Sequence, residues 1–320
     1  MLKFVYDGGV FVYSYRAEKR HFLFLRNGRG WLDIPKGHAE KGERIMDTAL
    51  RETKEETGLD VVPDRFFRHS LAYWTKEDGQ RAKKIVTVFI AEVPQAANVR
   101  VSDEHVGYVW LSCEDALRQV SFKDTKELVM EADSYLDRKA RIEKLNREYR
   151  KLPSKVKGWD LSANFVAGEG PPNAKVAVIG QAPGRSEDAS GRPFVGRSGQ
   201  LLTKLLMIAG LRREQVYITS VVQFFPPKNR VPSDKEIALC RGFLYRQLDI
   251  IKPRLVVVLG GVALKELLGI GEIMKVHGRL MKKDRNYFIT LHPAAAVRIK
   301  SNVPIIESDF RKLKGALSSL

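Results

Sequence analysis

Residues Gly37 to Leu59 read GHAEKGERIMDTALRETKEETGL, and this stretch governs the reading of the N-terminal half. Ile45 to Glu56 holds no Pro, no Gly and many strong helix formers, so the composition predicts a helix. Glu52, Glu55 and Glu56 then fall at i, i+3 and i+4 and crowd one helical face. Like charges that close repel unless a cation lies among them. Hard oxygen donors at this density suit Mg²⁺ or Mn²⁺ carrying a substrate's phosphates. A solvated acidic stripe is the plainer alternative, but the flanking residues are too regular for it. The segment fits Gly-x5-Glu-x7-Arg-Glu-apolar-x-Glu-Glu-x-Gly-apolar, with Thr53 in the first apolar slot and Leu59 in the second.

That pattern resembles the Nudix box, the signature of hydrolases that cleave nucleoside diphosphates linked to another group. Upstream, Val10–Tyr15 and His21–Leu25 predict paired strands. Trp31–His38, Lys84–Val93, Glu104–Leu111 and Ser121–Lys126 are similar to the dinucleoside tetraphosphate hydrolase branch of that family. The resemblance spans about residues 1–137 and implies a mixed sheet between helices. It implies that Glu52, Glu55 and Glu56 hold the metal, with Glu55 catalytic and Glu104 a further ligand or base. Arg51 would orient the box by pairing with Glu43, and Lys36, Gly37 and His38 would flank the phosphate chain. Phe122 matches one wall for the base. Val88 stands where the family often carries Tyr, and Tyr73 is a substitute or a core residue.

At 320 residues, two domains are expected, and a hydrophobic share of 44% supplies two cores. No apolar run reaches the ~18 residues of a membrane span. Met1 leads directly into a strand-like segment, so a cytoplasmic chain without a leader is expected. Cys113 and Cys240 fall in different halves and suggest neither a disulfide nor a zinc site. The net charge of +17 favours polyanions and speeds encounters with phosphorylated substrates, although a merely solubilising surplus would look the same.

Lys123 to Lys151 is charged and free of Pro and Gly, predicting a last domain helix that runs into a helical connector over 138–153. Leu128, Met130, Tyr135 and Leu136 are its candidate core residues. Beyond it the pattern changes. Ala174–Gly180, Val216–Val222, Leu255–Gly260 and Tyr287–Leu291 are short apolar runs separated by helical stretches over 199–209, 233–251 and 262–268. Alternation of this kind predicts a parallel α/β sheet covered on both faces, with its ligand site beyond the carboxyl ends of the strands.

Those ends carry Gly180-Gln-Ala-Pro-Gly-Arg-Ser-Glu-Asp, then Gly191-Arg-Pro-Phe-Val-Gly, then Phe225-Pro-Pro-Lys-Asn-Arg, then His292-Pro-Ala-Ala-Ala-Val-Arg. A generic phosphate loop would account for the first alone. The ordered set resembles the uracil-DNA glycosylase superfamily, most closely family 4, over about residues 140–320, with the domain itself placed at 154–320. The resemblance assigns water positioning to Glu187 with Asp188 beside it, and leaving-group stabilisation to His292. It assigns base stacking to Phe194, base or DNA binding to Gly180, Gln181, Ala182, Ser220 and Arg230, and the wedge that fills the vacated stack to Val297 and Arg298.

Three departures from that family matter. Gln181 replaces Glu, and Ser220 replaces the Asn that reads the uracil edge through a two-point hydrogen bond. Of four cluster-binding cysteines only Cys240 remains, with Phe224 at one of the other places, so no iron–sulfur cluster is expected. The expected function is a bifunctional enzyme acting on nucleotides and on DNA, without a membrane or protein partner. The alternatives are a hydrolase fused to a DNA-binding module without base excision, and a ligand-sensing Nudix half.

Overall fold

The computed structural model describes residues 3–77, 79–95 and 97–319; Met1 and Leu2, at the head of the expected first strand, lie outside them. The chain divides into two compact units, Met1–Leu136 and Asp137–Leu320.

In the first unit, β1 (Lys3–Arg16) and β2 (Lys19–Asn27) form an antiparallel hairpin with Tyr13 opposite Phe22. Ala17 and Glu18 make its turn at φ 48° and 63°, the left-handed pair that a tight hairpin requires. Then follow β3 (Leu32–Asp33), β4 (Lys36–His38), α1 (Ile45–Thr57), β5 (His69–Glu77), β6 (Gln80–Glu92), β7 (His105–Leu111), α2 (Cys113–Gln119) and α3 (Lys123–Arg150). The sheet runs β3-β2-β1-β6-β5, with β4 on β1 and β7 on β2, and it is mixed because β1 and β6 are parallel. Alternation along β1 divides the core between its faces. Val10 and Val12 pack with Ala49 of α1, whereas Phe11 and Tyr13 pack with Leu128 and Tyr135 of α3. Gly58 ends α1 at φ 70°.

The second unit contains β8 (Val176–Gly180), α4 (Arg185–Ser190), α5 (Arg197–Ile208), β9 (Val216–Ser220), α6 (Asp234–Ile251) and β10 (Leu255–Leu259). It continues with α7 (Gly260–Leu268), α8 (Ile273–Val276), β11 (Arg279–Lys282), β12 (Asn286–Thr290), α9 (Pro293–Arg298) and α10 (Asn302–Ser318). The order is β11-β12-β10-β8-β9, parallel except for β11. Val256 and Val258 of β10 join one core with α6 and α7, and Val257 and Leu259 join another with α5 and α10. Helices therefore cover both faces, and the loops after β8, β9 and β12 meet at one end.

Two sequence expectations change. The antiparallel edge strand β11 gave no apolar run, because Arg279 and Lys282 are exposed. Met130 is also exposed rather than packed, since the core stripe of α3 runs through Leu128, Val129, Ala132, Tyr135 and Leu136. Further along α3, Ile142 and Leu145 are buried in the core of the second unit.

Candidate active sites

In the first unit, α1 and the β4 hairpin position the box. The Glu52 carboxylate lies directly against Gly37: a Cβ there would sit 2.1 Å from Glu52 Oε2. Any other residue at 37 would expel the carboxylate. Arg51 donates through Nε and Nη2 to the two Glu43 oxygens, each at 3.1 Å, and through Nη2 to the His38 carbonyl at 2.9 Å. The same guanidinium reaches Glu52 at 2.7 Å and Glu55 at 3.1 Å. Arg51 thereby ties the loop to the helix and partly neutralises two of the three carboxylates. Its hydrogen bonds hold the Glu43 carboxyl down at about 2.

Glu56 is the buried member of the set. Burial raises its pKa to about 7 despite the Lys36 amide that donates to it at 3.0 Å, and the charges of Glu52 and Glu104 raise it further. Glu104 is exposed in the loop before β7. Among the described residues, no three carboxylate, His or Cys side chains converge on one point closely enough to hold a metal as they stand. The donor set nevertheless fits Mg²⁺ or Mn²⁺: hard oxygens only, one carboxylate cradled by a glycine, and a buried one whose ionised form burial and two neighbouring carboxylates disfavour more than Lys36 favours it. Glu52, Glu55, Glu56 and Glu104 would hold it.

Lys36 pairs with Asp33 through its ammonium, and His38 Nδ1 lies 3.3 Å from Asp7. Lys84 donates to the same buried Asp7 at 2.9 Å. Tyr73 stands opposite Lys84 in the strand register and so shares this side of the sheet, where burial and then Asp33, Asp7 and Asp124 push its hydroxyl up to about 12. Phe122 is exposed and meets Trp31 edge-on with ring centroids 5.3 Å apart. The sequence reading singled out Phe122 and gave no role to the exposed Trp31 beside it. Val88, where a second wall was sought, is fully buried in the core.

In the second unit, the loops after β8, β9 and β12 enclose a cavity of about 370 Å³ lined by Gln181, Ala182, Glu187, Phe194, Ser220, His292, Val297 and Arg298 among others. That volume is within the ordinary range of small-molecule pockets. His292 caps α9 and accepts a hydrogen bond on Nδ1 from the Ala294 amide at 3.1 Å. Its proton therefore sits on Nε2. Burial, reinforced by Arg298 and opposed by Glu187, lowers its pKa to about 4, so the ring is neutral near pH 7. It stacks on Phe194 with centroids 5.6 Å apart.

Phe194 has φ 52°, a strained conformation for a bulky residue, and two opposite charges hold it there. Arg213 donates to the carbonyls of Phe194 at 3.1 Å and Pro193 at 2.6 Å. From the other side, Glu187 Oε1 accepts from the Val195 amide at 2.9 Å and the Gly196 amide at 2.8 Å, while Oε2 accepts from Gly184 at 3.0 Å. A carboxylate offers about four acceptor positions, so one remains on Oε2 for water. Gly199 permits the arrangement, since a Cβ there would lie 1.9 Å from the Phe194 carbonyl oxygen. Arg213 left no local signal in the sequence.

Other expected residues stand elsewhere. Asp188 is not among the pocket-lining residues, and its Oδ1 is buried without a hydrogen-bond partner. Arg230 is engaged by Glu236 at 2.7 Å and Asp160 at 2.8 Å, which pins its loop, whereas Asn229 and Val231 line the cavity. Gly180 ends β8 beneath Phe194 and His292. Ser220 lies in the pocket wall beside Thr219, whose buried hydroxyl has no partner, and the Gln223 amide donates to the Ser220 carbonyl. Arg185, Arg197 and Arg298 are exposed around the cavity.

An iron–sulfur cluster does not fit this chain. Its two cysteines lie in different units, and burial pushes the Cys240 thiol up to about 12. Phe224 instead packs in an aromatic group: Trp159 at 4.9 Å, Phe165 at 5.5 Å and Tyr149 at 6.3 Å, with Tyr149 stacked on Phe243 at 4.0 Å.

Comparison with known proteins divides the chain in the same way. The NUDIX domain family matches residues 5–131, and the Uracil DNA glycosylase superfamily matches residues 167–317. A type-4 uracil-DNA glycosylase of Sulfurisphaera tokodaii is 42% identical over 184 residues, which are 54% of this chain and 83% of that protein. An asymmetrical bis(5'-nucleosyl)-tetraphosphatase of Sus scrofa is 39% identical over 124 residues, which are 36% of this chain and 80% of that one. Among solved structures, a C. elegans Ap4A hydrolase binary complex aligns at TM-score 0.39 and 27% identity, covering 42% of this chain and 98% of that one. Among the described residues, no helix is long and apolar enough to cross a membrane.

Proposed function

The chain belongs to the Nudix family through its first unit and to the uracil-DNA glycosylase superfamily through its second, and we propose that it joins two nucleotide-processing activities. The first unit hydrolyses a dinucleoside polyphosphate or another nucleoside diphosphate derivative with Mg²⁺ or Mn²⁺. The second excises uracil or a related deaminated base from DNA.

For the hydrolase, the carrying observation is the buried Glu56 carboxylate beside Glu52, whose ionised form calls for a cation. When bound, the metal polarises a phosphoryl oxygen and acidifies an attacking water. The chain's own residues do the rest: Arg51 and Glu43 fix the loop, and Lys36 and His38 face the phosphate chain. Trp31, Phe122 and Tyr73 receive the nucleoside.

For the glycosylase, the carrying observation is the tautomer of His292. Breaking the C1'–N bond sends its electron pair to the base and leaves C1' cationic. A neutral imidazole with its proton on Nε2 donates a hydrogen bond to the base oxygen where negative charge accumulates. Phe194 stacks the flipped base. Water held at the remaining acceptor position of Glu187 bonds to C1' and releases a proton, while the departing base takes one up.

A second reading, a DNA-binding module without base excision, draws support from Ser220, whose single hydroxyl cannot match a carbonyl and its neighbouring N–H together. Release assays over uracil, hypoxanthine, xanthine and mispaired thymine, in single- and double-stranded DNA, separate the two. DNA binding with no base released leaves the second. For the first unit, diadenosine tetraphosphate should be the best substrate; tenfold better cleavage of 8-oxo-dGTP or dUTP would replace it.

A further inference from the structure

One surface of the first unit serves neither catalytic centre. Strand register fixes its composition. Phe4 of β1 lies opposite Lys83 of β6, which lies opposite Trp74 of β5. The next row is Tyr6, Ile85 and Ala72, and beyond Trp74 the face continues through the pair Lys76 and Arg81. Alternation along strands places all of these on one face, opposite Tyr73, Lys84 and Asp7. Helix α1 covers the same face farther along β1, where Ala49 packs on Val10 and Val12, and stops short of these rows.

The result is unusual for a sheet. Phe4, Tyr6 and Trp74 are 46%, 52% and 48% exposed, and none belongs to a hydrophobic core cluster. Arg81 lies over the Trp74 ring at 4.2 Å from its centroid. These rows contain three aromatics and three cations, and no carboxylate among the described residues. Exposed aromatic area of this kind is expensive in water and marks an interaction site. Interleaved with Lys and Arg on a rigid sheet, it matches the chemistry of unpaired bases: rings for their faces, cations for the phosphates between them.

We propose that this face is a docking platform for single-stranded DNA, which feeds or retains the polymer on which the second unit acts. The choice of DNA rests on the glycosylase reading of that unit; the choice of a single strand rests on the rings, which need unpaired bases to stack.

The test uses the full chain and a fluorescein-labelled oligothymidine followed by anisotropy. The Phe4→Ala/Tyr6→Ala/Trp74→Ala variant should bind at least tenfold more weakly, with hydrolysis by the first unit unchanged as the check of folding. Independently, Lys76→Glu/Arg81→Glu should reduce the dependence of log affinity on log salt by about 0.7 for each phosphate that is no longer neutralised. Unchanged affinity in both variants overturns the proposal. So does tenfold tighter binding of duplex DNA or of RNA by the wild type, or an aromatic variant that merely turns a dimer into a monomer. The same oligonucleotide carrying one uracil reads base release separately. A wild type that binds through these residues and releases nothing loses the glycosylase reading and keeps the platform.

Discussion

Glu187→Gln tests whether the carboxylate in the glycosylase pocket is first a clamp. Its oxygens accept from the amides of Val195, Gly196 and Gly184 at 2.9, 2.8 and 3.0 Å. A glutamine can keep the first two on its carbonyl oxygen but turns an NH₂ toward the Gly184 N–H, donor against donor. A hydrogen bond to a charged group contributes about 1.5–3 kcal/mol, and an unsatisfied buried donor costs about 1–3 kcal/mol. The variant should therefore lose about 3 kcal/mol, and the second unit should melt roughly 6–12 °C lower. The strain of about 1–3 kcal/mol stored at Phe194 can then relax, carrying the ring away from His292. Base release should fall about 10- to 100-fold in kcat/KM. Arg213→Ala releases the same peptide from the other side without touching the cavity and should reproduce both effects. The two changes combined should be less than additive because they act on one loop. Calorimetry and single-turnover release on a uracil oligonucleotide measure this. A Glu187→Gln protein that melts within 2 °C of wild type yet has lost activity refutes the clamp and leaves only water positioning.

The remaining predictions concern individual groups. Glu56→Gln should abolish Mg²⁺-dependent hydrolysis. Because burial raises the Glu56 pKa to about 7, its ionised form destabilises the metal-free fold increasingly as pH rises from ~4.5 through 7. The variant should thus be more stable than wild type at pH 8 without metal, by up to about 3 kcal/mol in unfolding free energy, and equally stable at pH 4; equal stability at both would remove the burial argument. His292 has the opposite sign: its folded pKa, about 4, lies below the ordinary value, so the unfolded chain binds the extra proton and stability falls as pH drops from ~6.5 toward 4. Base release limited by this ring should show no acid limb near pH 6.5, and His292→Ala should suppress it. Ser220→Asn should sharpen or speed uracil removal by restoring a paired hydrogen bond of about 1–3 kcal/mol; unchanged selectivity would place base reading elsewhere, with Thr219 next. Purified protein should carry no stoichiometric iron or sulfide even when prepared anaerobically.

The sequence by itself determined the two families, the α1 helix and its capping glycine, and the parallel strands of the second unit, and it named Gln181, Glu187, Phe194, Ser220 and His292 of the pocket wall while also naming Asp188 and Arg230, which stand outside it. Each is a local pattern: a spacing of carboxylates, an apolar run, or a loop of fixed residue types at a strand end. Tertiary structure decided what those residues do. The family resemblance implied the Arg51–Glu43 pair, but only the fold shows the same guanidinium also reaching Glu52 and Glu55. Glu187 and Arg213 are far apart along the chain, yet they grip one peptide from opposite sides. The proton on Nε2 of His292 follows from an amide aimed at Nδ1, and the open aromatic face follows from where α1 stops. Spacing and composition are properties of one segment, whereas charge state, strain and exposure depend on every group that folding brings within a few ångströms. Some of those neighbours come from other strands and loops, and even near ones, such as Ala294 beside His292, meet only in the one backbone conformation that the fold imposes.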